Sequence, residues 1–135
     1  MKSAAVLYVK QLGQMRAFYR DCFKMEVVDS ADGYCVLESE PLALSLVAVP
    51  DHIAATIHIS VPPVRRDEVP IKLAFSVGSI EDVRLMVAEM GGLVDPSTTQ
   101  WEFRGSTHCD GVDPEGNVIQ LLEPVHTHAA EPAPA

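Results

Sequence analysis

The chain has 135 residues, 47% of them hydrophobic, and a formal net charge of −9. That length suits one domain, or two small halves sharing a core, and the apolar fraction suffices for a packed interior. The acidic balance, with no basic stripe, excludes a nucleic-acid partner, and no apolar run reaches the roughly 18 residues of a membrane span.

Met1-Lys2-Ser3-Ala4 leads straight into a strand-like run, Ala4 to Val9. No long apolar region ending in a small-residue cleavage site precedes it, so no secretion signal is read. A helix follows, about Leu12 to Lys24, with Met15, Phe18, Tyr19, Cys22 and Phe23 at helical spacing. Next come Glu26-Val27-Val28, the turn Ala31-Asp32-Gly33, and strands at Tyr34 to Glu38 and Leu42 to Val49. Thr56 to Val61 alternates apolar residues and reads as a linker or edge strand, stopped by Pro62 and Pro63.

The order then repeats. Leu73 to Val77 is a strand, and Ser79 caps a helix with Asp82 as the capping-box partner. Ile80, Val83, Val87 and Met90 form its apolar stripe, and Gly91-Gly92 ends it. Strands follow at Leu93-Val94, Gln100 to Arg104, Thr107 to Val112 and Val118 to Leu122. The last is fed by Asp113-Pro114-Glu115-Gly116-Asn117, where Asp-Pro starts a turn and Gly116 supplies a positive φ. Module one spans about 4–49, the linker about 50–71 and module two about 72–124, within one domain of residues 1–125. The Ala/Pro-rich residues 126–135 read as a disordered tail.

Alternation assigns the strand faces. Leu44 and Leu46, Ile119 and Leu121, and Leu73, Phe75 and Val77 suit a core. Tyr8, Ser45, Lys72 and Gln120 fall on the opposite faces and suit a lined cavity.

This pattern resembles the vicinal oxygen chelate superfamily of glyoxalases, bleomycin-resistance proteins and ring-cleaving dioxygenases. The resemblance covers about Ala4 to Pro124. It rests on Leu7-Tyr8-Val9 with Met15, Phe18 and Tyr19, and on the Asp113 to Asn117 turn before the last strand. It implies an α+β fold of paired βαβββ modules, a mixed sheet curled around a cavity with helices on its outer face, often in a homodimer. It also implies one divalent ion held by four side chains from the first and last strand of each module. Carried onto this sequence, those positions are Ala4, Ser45, Lys72 and Gln120. Ala4 cannot bind a metal, Ser45 is a poor ligand, Lys72 repels a cation, and only Gln120 is acceptable. The family's metal is therefore expected to be absent, with no other cofactor required.

Other residues carry two readings each. Trp101-Glu102-Phe103-Arg104 is a half-buried strand, or else Trp101 stacks a flat ligand and Arg104 grips an anion. Lys72 snorkels to a rim, or pairs with a ligand carboxylate or enolate with Gln120 beside it. His108 is a satisfied structural histidine, or a base or donor facing the cavity. His58 reads as a surface residue, His52 as a turn residue, His126 and His128 as an inert tail, and Arg65-Arg66 as a solvated loop. Cys22, Cys35 and Cys109, odd in number and without metal-site spacing, read as reduced thiols of a cytoplasmic protein.

The expected ligand set is therefore Tyr8, Ser45, Lys72, Trp101, Arg104, His108 and Gln120. The leading function is a glyoxalase/bleomycin-resistance-like protein that binds a small organic molecule without metal. The alternatives are a lyase, epimerase or dioxygenase with a displaced divalent metal, for example through His108 and His58, and a protein–protein interaction module.

Overall fold

The computed structural model describes residues 2–125. The expected tail, with His126 and His128, lies outside the described residues. In chain order the elements are β1 (Ala4–Val9), α1 (Leu12–Phe23), β2 (Glu26–Ala31), β3 (Tyr34–Glu38), β4 (Ala43–Ala48) and α2 (Asp51–Ala54). After the linker come β5 (Leu73–Ser76), α3 (Ile80–Glu89), β6 (Leu93–Val94), β7 (Trp101–Phe103), β8 (Ser106–Val112) and β9 (Val118–Pro124), with one 3₁₀ turn at Ser97–Thr99.

Two mixed sheets result. Sheet one has the order β1-β4-β3-β2, and sheet two the order β5-β9-β8-β6, with β7 also paired to β8. In each, the first strand lies parallel to the last and the other pairs are antiparallel. The two βαβββ modules are thus present. In module two the strand after the helix is split into β6 and β7, which pair with successive stretches of β8.

The linker corrects one expectation. Residues 57–72 form no strand. Ile57 N–H closes the short helix α2 onto Ala54, and Lys10 Nζ donates to the Ile57 carbonyl. Alternation along Thr56 to Val61 reports side-chain placement, but no neighbouring edge supplies a ladder. The Arg65-Arg66 loop is exposed, as read from the sequence, and is anchored at two points. Arg65 pairs with Asp95 at 2.6 Å, and Arg66 N–H donates to the Gly116 carbonyl at 2.9 Å.

The core lies between the helices and the inner sheet faces. Met15, Phe18, Tyr19, Leu37, Leu44, Leu46, Ile119 and Leu121 are buried there, as the strand and helix phases predict. Phe23 and Phe75 stack across the modules with centroids 4.2 Å apart, and Phe18 meets Tyr19 edge-on at 5.0 Å. Such pairs contribute about 0.5–1.5 kcal/mol each beyond burial.

The Asp113 to Asn117 turn is a clasp between modules. Fully buried Asp113 accepts from Tyr19 Oη at 2.6 Å, from Asn117 Nδ2 on both oxygens, and from the backbone N–H of Glu115 and Asn117. Glu115, also buried, accepts from the N–H groups of Lys10 and Gln11 at 2.7–2.9 Å. Those amides precede α1, so module two supplies the carboxylate that satisfies the start of module one's helix. Module two's own helix has the same device. Glu123 Oε1 accepts from Ile80 N–H at 2.7 Å, beside the expected Ser79 cap on Asp82 N–H at 3.2 Å. Gly116 makes the turn with φ +85°, the Val64 carbonyl closing off the space a side chain would take.

Candidate functional site

The open face of sheet two follows from strand register. Ala74, Gln120 and Asp110 form one cross-strand row, and Leu122, His108 and Trp101 the next. Lys72 stands one residue before β5 on the same side. Because alternate residues share a face, one polar set is gathered above the sheet while Cys109, Ile119 and Leu121 fill the core beneath.

The set is a single hydrogen-bonded chain. Lys72 Nζ donates to both Asp110 oxygens, at 3.0 and 2.9 Å. Gln120 Nε2 donates to Asp110 Oδ1 at 3.1 Å, which turns Gln120 Oε1 toward His108 Nδ1 at 3.0 Å. The reverse amide orientation would set a carbonyl against the carboxylate, so Asp110 fixes the Gln120 amide with its oxygen toward the His108 ring. His108 Nε2 faces the Phe103 carbonyl at 3.0 Å. Trp101 stacks on His108 with centroids 5.3 Å apart, Phe103 meets it at 5.8 Å, and Lys72 Nζ lies 5.7 Å from the Trp101 ring centroid.

Lys72 and Asp110 keep 40% and 24% of their side chains exposed. An exposed pair of this kind contributes about 0–1 kcal/mol. Its chemical content is an ammonium with one N–H left over, beside half-exposed Trp101 and exposed Phe103. A slit of about 350 Å³ between the edge strands β1 and β5 is lined by Val6, Leu7, Ile71, Lys72 and Val118, so it opens beside the same lysine.

Of the residues expected from sequence, Lys72, Trp101, His108 and Gln120 come together. Tyr8 and Ser45 lie on the open face of sheet one, and among the described residues no hydrogen bond joins them to the network. Tyr8 is 66% exposed. Arg104 is corrected. It is not the alternate partner of Glu102 within a strand but the tip of the β7–β8 hairpin, with φ +53° followed by Gly105 at +80°. The Arg-Gly pair matches the two positive-φ positions of a tight hairpin turn, which ends the strand at Phe103. Asp110 was missed as a site residue, though it shares His108's strand phase.

The family's metal positions can be tested chemically. Ala4 offers no donor, Ser45 a hydroxyl, Lys72 an ammonium already paired with Asp110, and Gln120 an amide already shared. Among the described residues no three His, Cys, Asp or Glu side chains converge. His58 lies by a separate depression with Arg65, Arg66 and Glu115, so it forms no pair with His108. His52 is exposed within α2. The donors do not fit the family's four-ligand metal.

No reactive thiol adds to the site. Cys22, Cys35 and Cys109 are buried and free, and burial pushes the Cys22 thiol up to about 12. No helix among the described residues is long and apolar enough to cross a membrane.

A family model described as Glyoxalase/Bleomycin resistance protein/Dioxygenase superfamily matches residues 3–121. No curated protein matches the chain in sequence. Among solved structures, a glyoxalase/bleomycin resistance protein/dioxygenase family enzyme from Burkholderia phytofirmans PsJN has a TM-score of 0.68 at 15% identity, covering 90% of this chain and 96% of that one. The fosfomycin resistance protein FosX from Listeria monocytogenes has a TM-score of 0.64 at 16% identity, covering 91% and 92%. A glyoxalase family protein from Enterococcus faecalis has a TM-score of 0.61 at 19% identity, covering 89% and 94%. At such identities the structural likeness shows the fold, and the family model shows the membership: this chain belongs to the glyoxalase/bleomycin resistance protein/dioxygenase superfamily.

Proposed function

We propose that this cytoplasmic protein binds a small organic molecule on the open face of sheet two, without a metal ion, in the manner of a bleomycin-resistance-like member of its superfamily. The observation that carries the reading is the Lys72–Asp110–Gln120–His108 chain, which puts an ammonium where relatives place a metal ligand. The spare Lys72 N–H meets an oxyanion of the ligand, such as a carboxylate or enolate. Gln120, with both arms engaged, positions Asp110 and His108. Trp101 and Phe103 supply an aromatic wall, and the slit beside Lys72 accepts an apolar part. Open-face residues Val6, Tyr8 and Phe103 are 57%, 66% and 58% exposed. A second copy in a homodimer would cover them.

Trp101 is the chain's one tryptophan, so its fluorescence reports directly on the site. A panel of quinones, thiol adducts, CoA esters and antibiotics titrated against it should reveal a ligand. Lys72→Met should weaken any anionic ligand roughly 10- to 150-fold, the scale of one hydrogen bond to a charged group. It should leave neutral analogues unchanged. Equal affinity of both proteins for every ligand found would end this reading.

The competing reading is a metal-dependent lyase, epimerase or dioxygenase. A point mutant of FosX from Listeria monocytogenes has been solved complexed with Mn(II) and 1S,2S-dihydroxypropylphosphonic acid. In this chain that reading lacks the ligands such an ion requires. An interaction module would show no response to any compound in the panel.

A further inference from the structure

The slit beside Lys72 follows the seam between the two sheets. Ala5, Val6 and Leu7 of β1 line one wall, and Ile71 and Leu73, at and just before β5, line the other, with Val118 from β9. β1 pairs only with β4 and β5 only with β9, so among the described residues no ladder joins the two edges. Resting on the metal-free ligand reading above, we propose that this slit holds the hydrocarbon chain of an aliphatic carboxylate whose head group meets Lys72. The ligand class of the site is then a straight-chain acyl acid rather than a flat ring.

Four observations support this. The walls are aliphatic, and apart from Lys72 the polar side chains of the slit are Tyr19 and Asn117. Both direct their donors to Asp113: the Tyr19 hydroxyl at 2.6 Å, and Asn117 Nδ2 at 2.9 and 3.1 Å. No side-chain donor inside the slit is left for a ligand, so an anionic group belongs at Lys72 and the part beyond it is apolar.

The lip leaves branched aliphatic side chains in water, with Ile71 72%, Val6 57% and Val69 48% exposed. A hydrocarbon chain laid along them removes that surface from water. The volume, about 350 Å³, is at the lower end of the range for ligand sites, which suits one chain and excludes a bulky polycycle. Trp101 and Phe103 line no part of the slit, so a ring stacked on them leaves it empty. Lys72 belongs to both places, with Nζ 5.7 Å from the Trp101 ring centroid, so a head group at Lys72 is reported by Trp101 emission.

The test titrates the full chain with sodium salts of straight-chain acids from butanoate to dodecanoate, each below its micelle concentration. The alkanols of the same lengths and 2-naphthoate serve as controls. Calorimetry and Trp101 fluorescence are the readouts. One acid should bind per chain, with affinity rising about fourfold per methylene, the worth of one buried CH₂, until the slit is full. Lys72→Met should weaken the acids roughly 10- to 150-fold and leave the alkanols unchanged. Val6→Phe with Ile71→Phe fills the slit from two exposed positions. It should flatten the chain-length series and leave 2-naphthoate binding unchanged. If the pair does not fold by circular dichroism, Ile71→Phe alone replaces it. A flat series on the parent, several acids per chain without saturation, or a series that still climbs in the folded, slit-filled variant overturns the inference. If 2-naphthoate still binds in a way that depends on Lys72, the metal-free reading stands without it. If no acid of either kind senses Lys72→Met, both fall.

Discussion

Replacing Asp113 with alanine is expected to destabilise the protein by about 3–4 kcal/mol and lower its melting temperature by roughly 10–20 °C. The residue touches no part of the open face. It is fully buried and is the shared acceptor of a network that crosses the modules: Tyr19 from α1, and the amides and side chain of its own turn. Alanine leaves the Tyr19 hydroxyl and two backbone N–H groups without partners in a dry interior, where each orphan costs about 1–3 kcal/mol. Burial pushes the Asp113 carboxyl up, against the hydrogen bonds that pull it down. Asp113→Asn therefore separates charge from acceptor. One amide oxygen can still serve the three donors on Oδ1, and the Tyr19 hydroxyl can rotate to accept. Only the Asn117 amide, 2.9 Å from Oδ2, then faces another donor. The asparagine variant should lose less than half of what alanine loses. Equal melting temperatures for Asp113→Ala and the parent would show that the clasp does not hold the modules together.

The same clasp sets an alkaline limit. The Tyr19 phenol is raised well above its ordinary value, first by burial and then by the adjacent Asp113 carboxylate. Its stabilising contribution is fully present below the unfolded phenol value near 10 and is lost as pH rises toward the folded value. In that window the unfolded chain has released a proton that the folded chain retains, so stability falls by about 1.4 kcal/mol per pH unit. The raised thiols of Cys22, Cys35 and Cys109 add a loss that begins nearer 9. Tyr34, raised by Asp29 but exposed, adds little because solvent screens it. Denaturant melts from pH 8 to 11.5 on the parent and Tyr19→Phe isolate the phenol. The variant should be less stable at pH 8, because Asp113 loses a donor, yet decline more gently above pH 10. Parallel curves would contradict the assignment.

Much of this architecture was legible because strands alternate and helices repeat. Lys72, His108 and Gln120 were singled out by phase or by position before the last turn, and phase put Trp101 and Phe103 on one face. What stayed hidden depends on partners far away in sequence. The Asp113 turn read as a local signal for a strand, since its Tyr19 partner lies 94 positions earlier. Asp110 shares the phase of His108, but its role appears only when β5 brings Lys72 across β9. Alternation overran at Arg104, where the following glycine marks the hairpin tip. It also misled at Thr56 to Val61, where a strand-like pattern has no edge to pair with. The first and last strands of sheet one carry Tyr8 and Ser45 as phase requires, but nothing in phase tells which sheet holds the polar chain.

Metal content tests the central claim most directly. Full-length, untagged protein purified without chelator and dialysed against metal-free buffer should carry far less than one zinc, iron, nickel or manganese per chain by plasma mass spectrometry. It should respond identically to its best ligand before and after chelator treatment, as read by Trp101 fluorescence. One tightly held ion per chain, with ligand binding lost on its removal and restored on its return, would contradict the account.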